Sequence, residues 1–174
     1  MNFNQLYEAL TGIEMQSGSY VAMKLSDSTI GLIESLQKQL GLKNPVPVDK
    51  LHITLMYSLK PLNSTFTCST KSIIGDGECS FQMFGPEQDC LVLKLSGNIE
   101  EKLKTRHNEI ASYGGEHTYN PYQPHITLSY GEPEQFRDQL QNNIRNVIGR
   151  TYSFAFVSEY HEPVDNSWSD SMKK

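Results

Sequence analysis

One heptad occurs twice in this chain. His52-Ile-Thr-Leu-Met-Tyr-Ser58 and His125-Ile-Thr-Leu-Ser-Tyr-Gly131 agree at five of seven positions, 125 − 52 = 73 residues apart. A Pro-containing loop precedes each copy, Asn44-Pro-Val-Pro-Val-Asp-Lys50 and Asn120-Pro-Tyr-Gln-Pro124. Proline fixes its own φ and pushes the residue before it into extended backbone, so neither loop continues a helix. A repeat with matching flanks predicts an old duplication, with two similar half-units packed about a pseudo-twofold axis.

The hydrophobic pattern around the repeat supplies the other elements. Tyr20–Leu25 has strand composition. Ser26-Asp-Ser-Thr29 offers N-cap side chains, and Ile30, Ile33, Leu36 and Leu40 recur at helical spacing, so a helix over 27–41 is predicted with Gly41 as its stop. Strands follow at Leu51–Tyr57, at two or three places within 66–96, at His125–Tyr130 and at Thr151–Val157. Turns are expected around Gly75-Asp-Gly77 and Gly85-Pro86. Helices are expected over residues 1–19 in part, over 98–113, and over 133–148 with Pro133 at the start. This order predicts an α+β fold with antiparallel sheets.

The strand period assigns the chemistry. His52, Thr54 and Met56 fall on one face, and Ile53, Leu55 and Tyr57 on the other. The second copy repeats this for His125 and Thr127. Side by side, the two strands bring two imidazoles and two hydroxyls to one spot. Imidazole is half-protonated near neutrality, so one ring takes a proton while the other gives one. A threonine hydroxyl donates to non-bridging phosphate oxygens, where charge develops. No metal is required, and no carboxylate lies at ligand spacing within either motif. His107, His117 and His161 lack the threonine two residues on and are expected to be structural.

The 174 residues suit one domain, residues 1–174. A net charge of −5 disfavours long nucleic acid held mainly through phosphates, yet allows a small anion in a local pocket. No apolar run approaches the roughly 20 residues of a membrane span, and no secretory leader is evident. Cys68, Cys79 and Cys90 are odd in number and fit no zinc spacing, so reduced thiols are expected.

The paired His-x-Thr strands resemble the 2H phosphoesterase superfamily, over roughly residues 18–158. The resemblance implies two pseudo-symmetric lobes of antiparallel sheet plus helices around a central groove, metal-free chemistry without a cofactor, and His52, Thr54, His125 and Thr127 as the catalytic four. The run from Gly18-Ser-Tyr-Val21 through Asn44-Pro-Val-Pro47 to Ser58 is similar to the anti-CBASS proteins of T4-like phages, which destroy cyclic di- and trinucleotide signals of bacterial antiviral defence. In that group a first-strand aromatic, a tail acid and a tail tryptophan hold the nucleobases. Tyr20, Glu162 and Trp168 stand at those places, with Glu159 as the alternative acid.

Trp168, the single tryptophan, lies in a polar tail, 159–174, that suits a substrate lid. One aromatic stacked on a base contributes about 1–3 kcal/mol. Tyr119, Tyr122 and Lys24 are weaker candidates, in a loop and at a strand edge. The expected activity is hydrolysis of 3′-5′ linkages in a cyclic oligonucleotide such as 3′,3′-cyclic GMP-AMP. The expected setting is the cytoplasm of an infected bacterium, with no membrane and no obligatory protein partner. The rivals are an RNA-end or linear 2′-5′ oligonucleotide phosphodiesterase and a nucleotide sponge without catalysis.

Overall fold

The computed structural model describes residues 17–85 and 87–164. The helix expected within residues 1–19 falls largely outside these, as does Trp168. Among the described residues there are six strands: β1 (Ser19–Leu25), β2 (His52–Ser58), β3 (Ile73–Phe84), β4 (Cys90–Leu95), β5 (His125–Ser129) and β6 (Thr151–Pro163). Among the described residues there are three α-helices, α1 (Asp27–Leu40), α2 (Asn98–Ala111) and α3 (Arg137–Arg145). The fold is α+β, and all sheet pairings are antiparallel.

The strand order β2-β1-β6-β3-β4-β5 displays the duplication. A strand-helix-strand unit, β1-α1-β2, forms one end of the sheet, and β4-α2-β5 forms the other. The two units join through β6 and β3. β3 is shared lengthwise: Ile73–Glu78 pair with β6, and Cys79–Phe84 pair with β4.

Local chemistry accounts for the helices. Ser26 Oγ accepts from Thr29 N–H at the start of α1, and Gly41 ends it with a left-handed φ of 66°. Ile33, Leu36 and Leu40 of α1, and Ile99, Leu103 and Ile110 of α2, are buried. They pack into one core with Met23, Ile53, Leu93, Ile126, Phe154 and Phe156. Each side chain of that size contributes about 1.5–3 kcal/mol on burial.

Three expectations change. Gly75-Asp-Gly77 is not a turn but lies inside β3. The glycines let β3 run close under the start of α2, where a Cβ at Gly77 would sit 2.4 Å from Ser96 O. The last strand does not stop at Val157 but continues to Pro163, past an irregularity at Ser158, whose φ is +51°. The helix expected over 133–148 begins as a 3₁₀ turn, Glu134–Phe136, before α3.

Candidate active site

The motif strands β2 and β5 occupy opposite ends of the strand order, yet their Cα atoms come within 8 Å of each other. The Pro-containing loops tie them together reciprocally. The loop before β2 bridges onto β5, at Pro45 opposite Ser129, and Val46 N–H donates to Leu128 O at 2.8 Å. The loop before β5 bridges onto β2, at His117 opposite Ser58, and Thr118 N–H donates to Tyr57 O at 2.9 Å. Each half thus secures the other half's motif strand.

Both motif histidines are held in the same way. His52 Nδ1 lies 2.8 Å from Lys50 O, and His125 Nδ1 lies 2.7 Å from Gln123 O. A carbonyl only accepts, so each Nδ1 carries the hydrogen and each Nε2 is left for proton transfer. Burial lowers the His125 pKa below the usual imidazole value; the nearby His52 charge adds to this, against the hydrogen bond to Gln123. The Phe84 ring stands edge-on to His125, with centroids 4.9 Å apart.

The cross-strand register extends the duplication. Lys24 pairs with His52 in β1–β2, and Lys94 pairs with His125 in β4–β5. Ala22 pairs with Thr54, and Val92 pairs with Thr127. Cross-strand partners share a face, so one lysine accompanies each histidine on the same face of its strand pair.

A β-bulge then interrupts each motif at its leucine. Val21 pairs with Met56 while Ala22 pairs with Thr54, so Leu55 is the extra residue. Leu128 is extra in the second copy, between Ser129 and Thr127. The bulge corrects the expected alternation. Leu55 and Met56 are both buried, and Tyr57 turns to the His52–Thr54 face opposite Tyr20.

Tyr20 lies within this site. Its hydroxyl shares a 3.0 Å hydrogen bond with Thr54 Oγ1, and its ring is edge-on to His52 with centroids 6.1 Å apart. Burial pushes its phenol well above the usual value, so it stays protonated. Glu162 is the cross-strand partner of Tyr20 and is exposed on the same face. Glu159 is on the opposite face, its side chain fully buried and ion-paired to Arg106 at 2.7 Å. Trp168 lies outside the described residues, as does the rest of the tail from 165.

Among the weaker candidates, Tyr119 is exposed, with its ring 5.8 Å from that of Tyr57. Tyr122 is not in a solvated loop: it is buried and donates from its hydroxyl to Thr54 O at 2.8 Å. Sequence reasoning passed over Tyr57, Tyr160, Phe84 and Lys94. The lysine had a signal, since it precedes the second helix as Lys24 precedes the first. The aromatics had none without the register. Among the described residues no group of three or more His, Cys, Asp or Glu side chains gathers at ligand distance, the cysteines are unpaired, and no helix is long and apolar enough to cross a membrane.

Comparison with known proteins gives concordant results. The family model described as anti-CBASS protein Acb1 matches residues 17–171. The anti-CBASS protein Acb1 of Salmonella phage S16 is 36% identical over 162 residues, covering 92% of this chain and 97% of the relative. That of Enterobacteria phage T4 is 33% identical over 162 residues, with the same coverage of both. Among solved structures, Escherichia coli LigT in its apo form aligns with a TM-score of 0.45 at 14% identity, covering 86% of this chain and 95% of that one.

Proposed function

The chain belongs to the anti-CBASS Acb1 family, and from that premise we propose that its two motif histidines cut a 3′-5′ phosphodiester of a cyclic di- or trinucleotide without a metal ion. The protein is a phosphodiesterase of cyclic oligonucleotide signals. Its setting on this reading is the cytoplasm of the infected cell, and it acts as one unit without a protein partner.

The observation that carries the reading is the matched pair of imidazoles. Both are fixed through Nδ1 to a backbone carbonyl two residues upstream, on strands that the fold brings together. His125, whose pKa burial lowers, is neutral at pH 7 and serves as base. Its Nε2 takes the proton of the ribose 2′-hydroxyl as that oxygen bonds to phosphorus. The bond from phosphorus to the 5′-oxygen breaks, and the leaving oxygen takes a proton from His52 Nε2. The product carries a 2′,3′-cyclic phosphate, which water opens with the two roles reversed.

Thr54 and Thr127 donate to the non-bridging oxygens, where the charge grows. On this mechanism Tyr20 is the donor in the hydrogen bond it shares with Thr54 Oγ1, and the Thr54 hydrogen is free for phosphate. Lys24 and Lys94 place one cation beside each histidine in a chain of net charge −5. Tyr20, Glu162 and Trp168 hold the bases, the first two from adjacent positions on one face and the third from the tail.

The test is incubation with 3′,3′-cyclic GMP-AMP in excess EDTA, with products followed by chromatography. Cleavage to linear product is expected, and an analogue with 2′-deoxyribose at the scissile linkage is expected to be inert. Normal cleavage of the deoxy analogue rejects the 2′-hydroxyl route, and loss of activity in EDTA rejects metal independence.

A further inference from the structure

A bulged residue drops out of its ladder, and its buried carbonyl needs another donor. Leu55 and Leu128 are both fully buried. His107 Nδ1 lies 2.6 Å from Leu55 O, and since a carbonyl accepts, His107 donates. Gln37 Nε2 donates to Leu128 O at 3.0 Å, beside the Val46 N–H that donates to the same oxygen at 2.8 Å. It also donates to Val46 O at 3.0 Å, so it ties the Leu128 carbonyl to the bridging loop. Both donors are more than nine-tenths buried. They lie 107 − 37 = 70 residues apart, close to the motif offset.

The assignments cross between halves. Gln37 belongs to α1 of the first half and reaches the motif strand of the second. His107 belongs to α2 of the second half and reaches the motif strand of the first. Each carbonyl adjoins the threonine of its motif. On the β2 side, Tyr122 stacks on the His107 ring at 4.2 Å and donates to Thr54 O, so two consecutive carbonyls behind the site are held. Neither His107 nor Gln37 lies on the groove face, and neither has a part in the proton transfers above.

We propose that His107 and Gln37 are a matched pair of positioning residues. Each clamps the bulged leucine carbonyl of the opposite half's motif strand and thereby sets the aim of that strand's histidine and threonine. The kinetic part of this inference rests on the phosphodiesterase reading; the crossed geometry does not.

The first half's own solution supplies the conservative replacement, since Gln37 does there what His107 does here. His107→Leu removes the donor and is expected to lower kcat on the order of 10–100-fold with KM little changed, because small misplacement of reacting groups costs that much. His107→Gln is expected to recover most of the loss. Gln37→Met is expected to lower kcat similarly. In the folded variants, backbone amide NMR shifts at His52 and Thr54 are expected to move with His107→Leu, and those at His125 and Thr127 with Gln37→Met.

A folded His107→Leu protein with wild-type kcat overturns the proposal. So does His107→Gln that is no better than His107→Leu, or shift changes that stay within the mutated half. If both His107→Leu and Gln37→Met fail to fold, the pair serves stability and not aim, which also overturns it. If the wild type cleaves no cyclic nucleotide, the phosphodiesterase reading fails, and the NMR shifts alone decide this inference.

Discussion

The two halves of the molecule share a frame but differ in what surrounds it. In both, a strand-helix-strand unit ends in His-Ile-Thr-Leu. The histidine is held through Nδ1, a lysine sits across from it, and a bulge falls at the leucine. In the first half, Tyr20 reaches Thr54 and stands among Tyr57, Tyr160 and His52. The second half has Cys90 at the corresponding place, four residues before its lysine as Tyr20 is before Lys24. Phe84 lies against its histidine instead. On the mechanism proposed above, proton transfer at one phosphorus uses two like groups, one from each half, and base recognition draws on the asymmetric aromatics of the β1–β6 side.

The hardest test of the shared frame is removal of either imidazole. His52→Ala and His125→Ala are each expected to lower kcat about 10²–10⁴-fold, and the double variant by far less than the product, because the two act as a unit. Single-turnover cleavage of the cyclic dinucleotide measures this. A variant that keeps near-full rate shows that only one half is catalytic.

A smaller effect probes the difference. Tyr20→Phe removes the hydroxyl on Thr54 and is expected to weaken turnover roughly 3–10-fold, the scale of one net hydrogen bond. Cys90→Ser at the matching place is expected to leave kcat/KM unchanged. Equal losses in the two would put recognition in both halves.

The smallest effect concerns the two interlocking loops. Tyr57 N–H donates to His117 Nδ1, and burial, with the charges of His107 and His125, lowers the His117 pKa to about 4. The unfolded value is about 6.5, so protonation favours the unfolded chain. This contribution is complete above about 6.5, shrinks as pH falls towards 4, and shrinks no further below that. His125 shifts in the same direction. Tm is therefore expected to drop between pH 7 and pH 5, and His117→Gln is expected to reduce the drop. The other loop bridges through Pro45, which does not titrate.

Much of this arrangement is legible in the residues. The repeat, its period and the capped first helix place both motifs on strands after helices, and the structure keeps them there. The bulge was not legible, because a bulge is a mismatch of register with a partner strand, and Leu55 looks like any alternating apolar residue. Gly75 and Gly77 carry a turn signal, yet the close approach of α2 calls for the same residue type. The polar run Ser158–Pro163 looks like a tail because much of it is exposed, even though it pairs with β1 through Tyr160 and Glu162. Of the two candidate acids, only pairing with β1 separates Glu162 from Glu159. Trp168 is legible as a lone aromatic, and the described residues do not reach it.

The position of β6 has a consequence for synthesis. β6 separates β1 from β3, so it is the strand that joins the two halves into one sheet, and among the described strands it is the last one made. Chains grow at about 5–20 residues per second, and the earlier parts begin to fold first. The β1-α1-β2 unit therefore emerges with an open edge on β1, a site for wrong pairing until Thr151–Pro163 arrives. A nascent chain that stops short of Thr151 contains both histidines and both threonines but lacks the strand through which the two halves form one continuous sheet.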